Sequence, residues 1–330
     1  MDYEAIVIGG GHAGIEAALA LARLGHRTLM ITQDLEAIGR LSCNPAVGGL
    51  SKGNLVREID ALGGQMGLLI DASMIQYRML GRSRGPAVQS PRAQADKALY
   101  ASLARRALEA QRGLSLFMDT VVDLLTDGSG GKVEGVLTAR GNRIGASCVV
   151  LTTGTFMEGR LFIGDWRASG GRLGESAALG LGTALRGRGF ELGRMKTGTP
   201  ARIRAGSIDT GEMARQEGEA ARPFSFLNDS IERPEASCWV TYTNEETHRV
   251  IRGGMDRSPL FSGAIVGMGP RYCPSIEDKV RRFPERERHQ VFVEPEGLST
   301  DEMYLNGLST SLPEEVQRDF IRTIPGLRRA

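Results

Sequence analysis

The chain has 330 residues, of which 41% are apolar and 24% charged, with a formal net charge of +2. Such a composition can fill a folded core, which excludes an intrinsically disordered chain, and the near-neutral balance excludes a bulk electrostatic grip on nucleic acid, so any RNA-binding surface must be local. No apolar run approaches the roughly 18 residues of a membrane-spanning helix, and the acidic opening Met1-Asp2-Tyr3-Glu4 predicts no secretory leader.

The length predicts two domains or one large one. Near the start, Ile6, Val7 and Ile8 run into Gly9, Gly10, Gly11, His12, Ala13 and Gly14. A helical pattern follows over residues 15–24, and a second β-forming run over residues 28–32. Gly9, Gly11 and Gly14 fit the G-x-G-x-x-G pattern. Each glycine has a task there: a tight turn, close backbone approach to a pyrophosphate, and close packing of helix on strand. The helix N-terminus would point its unpaired N–H groups at the phosphates. After the second strand, Gln33 stands where an acidic residue often grips a ribose, with Asp34 one step late; either side chain can bond a hydroxyl.

Residues 41–53 read as a glycine-rich loop carrying Cys43, with Lys52 nearby. On residue type alone, Cys43 fits a stabilised thiolate as well as a small buried hydrophobe. Residues 55–62 look helical and stop at Gly63 and Gly64. Arg78, Arg82, Arg84 and Arg92 crowd residues 76–94, either as a grip on phosphates or RNA or as a solvated face. Residues 96–111 form a helix, with Leu99, Leu103 and Ala107 at helical spacing.

Residues 114–125 and 132–139 predict strands of a β-rich insertion, with Asp127, Gly128, Ser129, Gly130 and Gly131 as the turn. Cys148 to Leu151 predict a short buried strand entering Thr152, Thr153, Gly154 and Thr155, with Cys148 as core. A glycine loop over residues 169–175 opens a helix over residues 177–186. Lys196, Thr197, Gly198, Thr199 and Pro200 form a polar turn, and a boundary is expected near Pro200. Further strands fall at residues 239–243 and 290–293, and a short helix with His248 at residues 245–252.

Pro274 suits the first turn of a helix, with Glu277 and Asp278 early in it. Cys273 would then lie beside the helix N-terminus, which makes it the stronger nucleophile of the two thiols on physical grounds. Cys43, Cys148, Cys238 and Cys273 show neither metal nor disulfide-framework spacing, so reduced thiols are expected. Asn306 and Gly307 mark a turn, and residues 309–315 an N-capped helix start.

Together these motifs resemble one family, the large FAD-binding subunit of the tRNA uridine 5-carboxymethylaminomethyl modification enzyme (MnmG/GidA). The resemblance rests on GGGHAG at residues 9–14, SCNPAVGG at 42–49, DALGG at 60–64 and KTGTP at 196–200. It continues through GPRYCPSIEDK at 269–279, EPEG at 294–297 and STSLP at 309–313. It implies a cytosolic enzyme that binds FAD and takes hydride from NADH. With an MnmE-family GTPase it would modify C5 of the wobble uridine of certain tRNAs. Methylene-tetrahydrofolate would give one carbon, and glycine or ammonium the amine. A homodimer, and with the GTPase a heterotetramer, is implied too.

Carried over by motif, Gly9, Gly10, Gly11, His12, Ala13 and Gly14 contact FAD, and Val121 matches a further FAD-contacting valine. Residues 269–283 match an NAD-binding stretch, with Gly269, Pro270, Arg271, Tyr272, Lys279 and Phe283 as contacts. Arg271, Lys279, Arg281 and Arg282 would offer charge to phosphate. Cys43 and Cys273 match the two functional cysteines. Members of the family continue well past Ala330, so the resemblance implies a truncated chain.

The expected fold is α/β: a Rossmann-type FAD-binding domain over residues 1–200 with a β-rich insertion at about 114–145, then an α+β domain over 201–330 with the NAD segment. Two rivals remain. The folate- and FAD-dependent tRNA uridine C5-methyltransferase family shares the glycine entry but not the cysteine motifs. A non-catalytic fragment binding protein or RNA is the other.

Overall fold

In the computed structural model, which describes residues 2–128, 131–267 and 274–330, the chain opens with β1 (Tyr3–Ile8). Its last four residues are buried, as in the middle of a parallel sheet covered on both faces. α1 (His12–Arg23) buries Ile15, Ala18, Leu19 and Ala22, one stripe at helical spacing. β2 (Thr28–Thr32) then lies parallel to β1, with Ala5 opposite Thr28.

Next come β3 (Ala46–Gly48), α2 (Lys52–Ala61), α3 (Met66–Ser73), β4 (Met74–Leu80) and β5 (Ser90–Ala95). The strands form a small antiparallel sheet, β3-β5-β4. α4 (Lys97–Glu109) starts at Asp96, whose carboxylate takes the Leu99 N–H at 3.0 Å. Its buried stripe is Tyr100, Ala104 and Leu108, one residue round from the Leu99, Leu103, Ala107 stripe that signals the helix in the sequence.

β6 (Leu114–Met118), β7 (Val121–Thr126), β8 (Val133–Thr138) and β9 (Arg143–Leu151) complete a six-stranded sheet in the order β6-β2-β1-β9-β8-β7. The pairs β6–β2, β2–β1 and β1–β9 are parallel, while β9–β8 and β8–β7 are antiparallel. The antiparallel add-on therefore starts at Val121, not at residue 114. Asp119 breaks what the sequence reads as one strand: its N–H bonds Thr32, and its carboxylate takes the Thr120 N–H and the Arg140 side chain.

β10 (Arg160–Ile163) and β11 (Trp166–Ser169) make a hairpin that the sequence pattern did not reveal. α5 (Leu181–Gly187) covers the add-on. It starts at Gly180, whose φ of +102° excludes an earlier helical start at residue 177.

A second sheet, fully antiparallel, follows. β12 (Arg202–Arg204), β13 (Ala214–Gln216), β14 (Cys238–Tyr242), β15 (Gln290–Pro295) and β16 (Glu302–Asn306) stand in the order β12-β16-β15-β14-β13. α6 (Glu245–Gly253), α7 (Ile276–Arg282) and α8 (Glu314–Arg322) supply Ile251, Ile276, Val280, Phe320 and Ile321 to its core. α8 has Pro313 at its N-cap with no side-chain cap, so the expected serine cap is absent there. Ser311 bonds Glu277 instead.

The segment over residues 217–236 belongs physically to the first unit, although the sequence assigns it to the second. Glu219 N–H bonds Tyr77 and Ala236 N–H bonds Ile75. Phe224 is buried in the first core. Asp71 accepts from the Phe224 and Ser225 N–H groups at 2.7 and 2.9 Å, and Asp60 from Phe226 N–H at 2.7 Å.

His248 and His289 lie tilted at 40° with ring centroids 5.3 Å apart beside Thr243, and His289 Nε2 is buried without a hydrogen-bond partner among the described residues. Burial first, then the neighbouring His248, Lys279 and Arg286, hold the His289 imidazole down to about 4. A depressed histidine contributes stability that is complete above its unfolded value of 6.5 and is lost as the pH falls toward about 4. Replacing His289 with phenylalanine should flatten the fall in melting temperature between pH 6.5 and 4, measured by thermal denaturation.

Candidate functional site

The glycine loop between β1 and α1 is shaped by two close contacts. A Cβ on Gly9, at φ +109°, would stand 2.4 Å from the Thr152 carbonyl oxygen, and one on Gly14 would stand 1.9 Å from the Gly9 oxygen. Gly11 differs, since a Cβ there would meet nothing within 4 Å. Gly11 is also the N-cap of α1, has no side chain to cap it, and is followed by no acidic residue in the first turn. The first N–H groups and the positive end of the helix therefore face open space, which suits a diphosphate. Ala13 is exposed on this lip. His12 packs edge-on to Tyr100, and desolvation lowers its pKa, so its ring adds no charge at neutral pH. Gln33 is tied to Thr120 at 3.2 Å, and the Asp34 carboxylate caps Glu36 N–H. Val121 follows Thr120, with its side chain in the core.

Cys43 is linked to this loop through Gly39, whose N–H bonds the Gly10 carbonyl at 3.0 Å. Arg40 and Arg172 both pair with Glu175, at 2.7 and 2.6 Å, and Arg172 also reaches Ser42. The Cys43 sulfur stands 3.6 Å from the Gly198 carbonyl and 3.3 Å from the Tyr304 hydroxyl. Its own carbonyl accepts from Arg202 at 2.7 Å. Arg202 also bonds Glu296 at 2.8 Å, and Glu296 takes Lys97 at 2.6 Å. Arg92 bonds Glu294 at 2.8 Å. Arg202, Tyr304 and Glu294 are register partners across β12, β16 and β15, so they form one row on one face of the second sheet. Glu294 Oε2 has no hydrogen-bond partner among the described residues, and burial raises this carboxyl's pKa against the pull of Arg92.

Three further motifs converge here. A Cβ on Gly198 would lie 2.5 Å from Ser309 Oγ, and Thr199 bridges Thr310. Ile276 N–H bonds Ser309 at 2.7 Å, and the Ser311 N–H and hydroxyl bond Glu277 at 3.1 and 3.2 Å. The loop of residues 196–200 thus lies between Cys43 and the base of α7. Ser275 is the N-cap of α7, because its hydroxyl takes the Asp278 N–H, so Pro274 precedes the helix instead of opening it. Gly269, Pro270, Arg271, Tyr272 and Cys273 lie outside the described residues. Lys279 donates to the Gly307 carbonyl at 2.9 Å, Arg281 lies over Phe261, and Arg282 pairs with Asp278. These cations, expected to offer charge to phosphate, have partners within the protein. Phe283 is half exposed.

The arginine crowd is also internally matched in large part: Arg78 and Arg82 face Glu219, and Arg92 faces Glu294. Cys148, expected in the core, is exposed; an apolar run signals a strand and says nothing of which stretch of its face is covered. Cys238 is the buried thiol, bonded to Gln76 at 3.3 Å and pushed up to about 12 chiefly by burial. Tyr304 and Arg202 were not found from sequence. Their one signal is the pairing of β12 with β16, which is long-range and has no local pattern. Among the described residues no group of three or more His, Cys, Asp or Glu could hold a metal, and no helix is long and apolar enough to cross a membrane.

Comparison with known proteins bears on these motifs. A family described as "Glucose inhibited division protein A" matches residues 4–330. A protein of Treponema pallidum (strain Nichols) named "tRNA uridine 5-carboxymethylaminomethyl modification enzyme MnmG" is 60% identical over 337 residues, covering 100% of this chain and 54% of the relative. One of the same name from Borreliella burgdorferi (strain ZS7) is 60% identical over 331 residues, with 100% and 53% covered. The structure of Aquifex aeolicus GidA in its form I crystal superposes with a TM-score of 0.94 at 49% identity, covering 100% of this chain and 56% of that one. The chain spans about half the length of the curated relatives it matches.

The Glu296 carboxylate is 1% exposed and meets both Lys97 and Arg202. Removing it in Glu296→Ala leaves two cations uncompensated and should cost about 3 kcal/mol. Urea denaturation would measure this, and a cost below about 1 kcal/mol would show that the pairing adds no more than a surface ion pair.

Proposed function

Because the chain belongs to the glucose inhibited division protein A family, we propose that this protein is a FAD-dependent enzyme that modifies the wobble uridine of tRNA at C5. The observation that carries the reading is the joining of a dinucleotide cradle to a thiol loop: Gly39 N–H on the Gly10 carbonyl, with Cys43 just beyond. The open Gly11 and the uncapped α1 N-terminus fit the FAD diphosphate, with residues 9–14 as contacts; Val121 is assigned to FAD by the family motif alone. When bound, FAD supplies redox capacity, with NADH as hydride donor at residues 269–283. Methylene-tetrahydrofolate gives the one-carbon unit, glycine or ammonium the amine, and an MnmE-family GTPase is the partner. The names of the relatives support this modification over methyl transfer at the same carbon.

The protein's own part is nucleophilic. Uridine C5 is a weak nucleophile. A thiolate lone pair forms a bond to C6, and the C5–C6 π electrons move toward C5 and O4. C5 then attacks the iminium carbon of the one-carbon unit, whose C=N π pair passes to its nitrogen. Loss of the C5 proton restores the double bond and expels the thiolate. Cys43 and Cys273 are the two thiols for this work: one attacks, and the other handles a proton. Cys43 stands at the meeting of the two units, and the Arg202 bond to its carbonyl fixes its backbone.

Gly11→Val should fold, since a Cβ there meets no described atom within 4 Å, yet lose flavin absorbance on purification. Retained flavin in the folded variant would reject the cradle. Cys43→Ser and Cys273→Ser should each keep FAD and lose the modified nucleoside, read by mass analysis of tRNA digests. Cys148→Ala, exposed on β9, should stay active. Normal product from either serine variant would sink the thiol mechanism.

A further inference from the structure

We propose that Tyr304 is the positioning residue for Cys43, its hydroxyl donating a hydrogen bond to the sulfur and holding it in place for its part in the thiol chemistry. The inference rests on the reading of Cys43 given above. The geometry assigns the direction of the bond. Among the described residues the sulfur bonds two polar neighbours, the Gly198 carbonyl at 3.6 Å and the Tyr304 hydroxyl at 3.3 Å. A carbonyl only accepts, so the single thiol hydrogen goes to Gly198, and the hydroxyl donates to sulfur. When the thiol ionises, the Gly198 carbonyl faces a negative sulfur and repels it, while Tyr304 still attracts it. The bond to Tyr304 is therefore the one that survives into the reactive form, and bonds to charged acceptors are the stronger kind.

The rest of the site holds the tyrosine still. Tyr304 is 4% exposed. The Arg202 guanidinium lies 4.8 Å from its ring centroid, and the same arginine bonds the Cys43 carbonyl. One side chain thus fixes both the donor ring and the acceptor's backbone. On the other side, Glu294 is the register partner of Tyr304 and is held by Arg92. Burial, with Cys43 adding to it, raises the tyrosine pKa, so the hydroxyl keeps its proton through the range in which a thiolate acts.

The test is Tyr304→Phe in the intact protein, which removes one oxygen and leaves the ring and its stacking. FAD content and KM for tRNA should stay within twofold, while kcat falls. Iodoacetamide labelling of Cys43, followed by mass spectrometry of its own peptide, should slow about fivefold to tenfold at pH 7, the worth of one hydrogen bond, and by a smaller factor at pH 9. Wild-type kcat and wild-type labelling at both pH values would overturn the proposal. So would an equal slowing at both pH values, which is what altered packing produces. Should Tyr304→Phe not fold, difluorotyrosine at 304 keeps the ring and makes a stronger donor. Faster labelling at pH 7 then supports the proposal, and unchanged labelling overturns it. Cys43→Ser separates the two readings: if it keeps tRNA modification, the thiol mechanism has failed, whereas the labelling arm still reports on Tyr304.

Discussion

Two carboxylates at the end of β15 determine how the halves of the molecule meet. Glu294 and Glu296 are nearly fully buried, a costly place for charge unless it is matched. Arg92 comes from β5, Lys97 from the first turn of α4, and Arg202 from β12. Bonds to backbone carbonyls reinforce the pairing: the Gln94 side-chain amide donates to Pro295 at 2.9 Å, and Lys97 N–H to Glu296 at 3.0 Å. An apolar contact tolerates sliding. A contact made of directional charge-assisted bonds has one arrangement, so these pairs define position more than they add stability.

The same logic governs the return of residues 217–236 to the first unit. Asp60 and Asp71 accept N–H groups from three consecutive residues, 224–226, and Asn228 adds a fourth donor. That irregular loop has no ladder of its own, so buried carboxylates satisfy its backbone. Phe224 then enters the core beside Tyr77, edge-on at 6.4 Å. The chain thus crosses between the units more than once before β14, and the first unit is finished by residues that follow the first strands of the second.

What the sequence disclosed depended on whether the cause was local. β1, the glycine loop and α1 were legible because strand, turn and helix signals stand in contact. α4 was legible from helical spacing and α6 as a short helix, and the structure adds their caps, Asp96 and Asn244. The short helix α3 and strands β4 and β5 were not, since an apolar run with arginines beside it has no single period. α7 was legible near Pro274, with Glu277 and Asp278 early in it, but its cap is the Ser275 hydroxyl, so Pro274 stands just outside the helix. Of the site, Cys43 was visible as a motif. Its neighbours were not: Gly198, Arg202 and Tyr304 reach it from 155 to 261 residues away along the chain, a separation no local pattern encodes.

Arg202, Tyr304 and Glu294 stand side by side because three antiparallel strands are in step, and strand side chains alternate between faces. A slip of one residue by β16 would turn Tyr304 toward the helices and Met303 or Leu305 toward Cys43, while leaving the number of ladder bonds almost unchanged. The site therefore has no half-formed version: the sheet is in phase and complete, or out of phase and empty. An insertion or deletion of a single residue inside β16 empties the site, even where every other part of the chain is preserved.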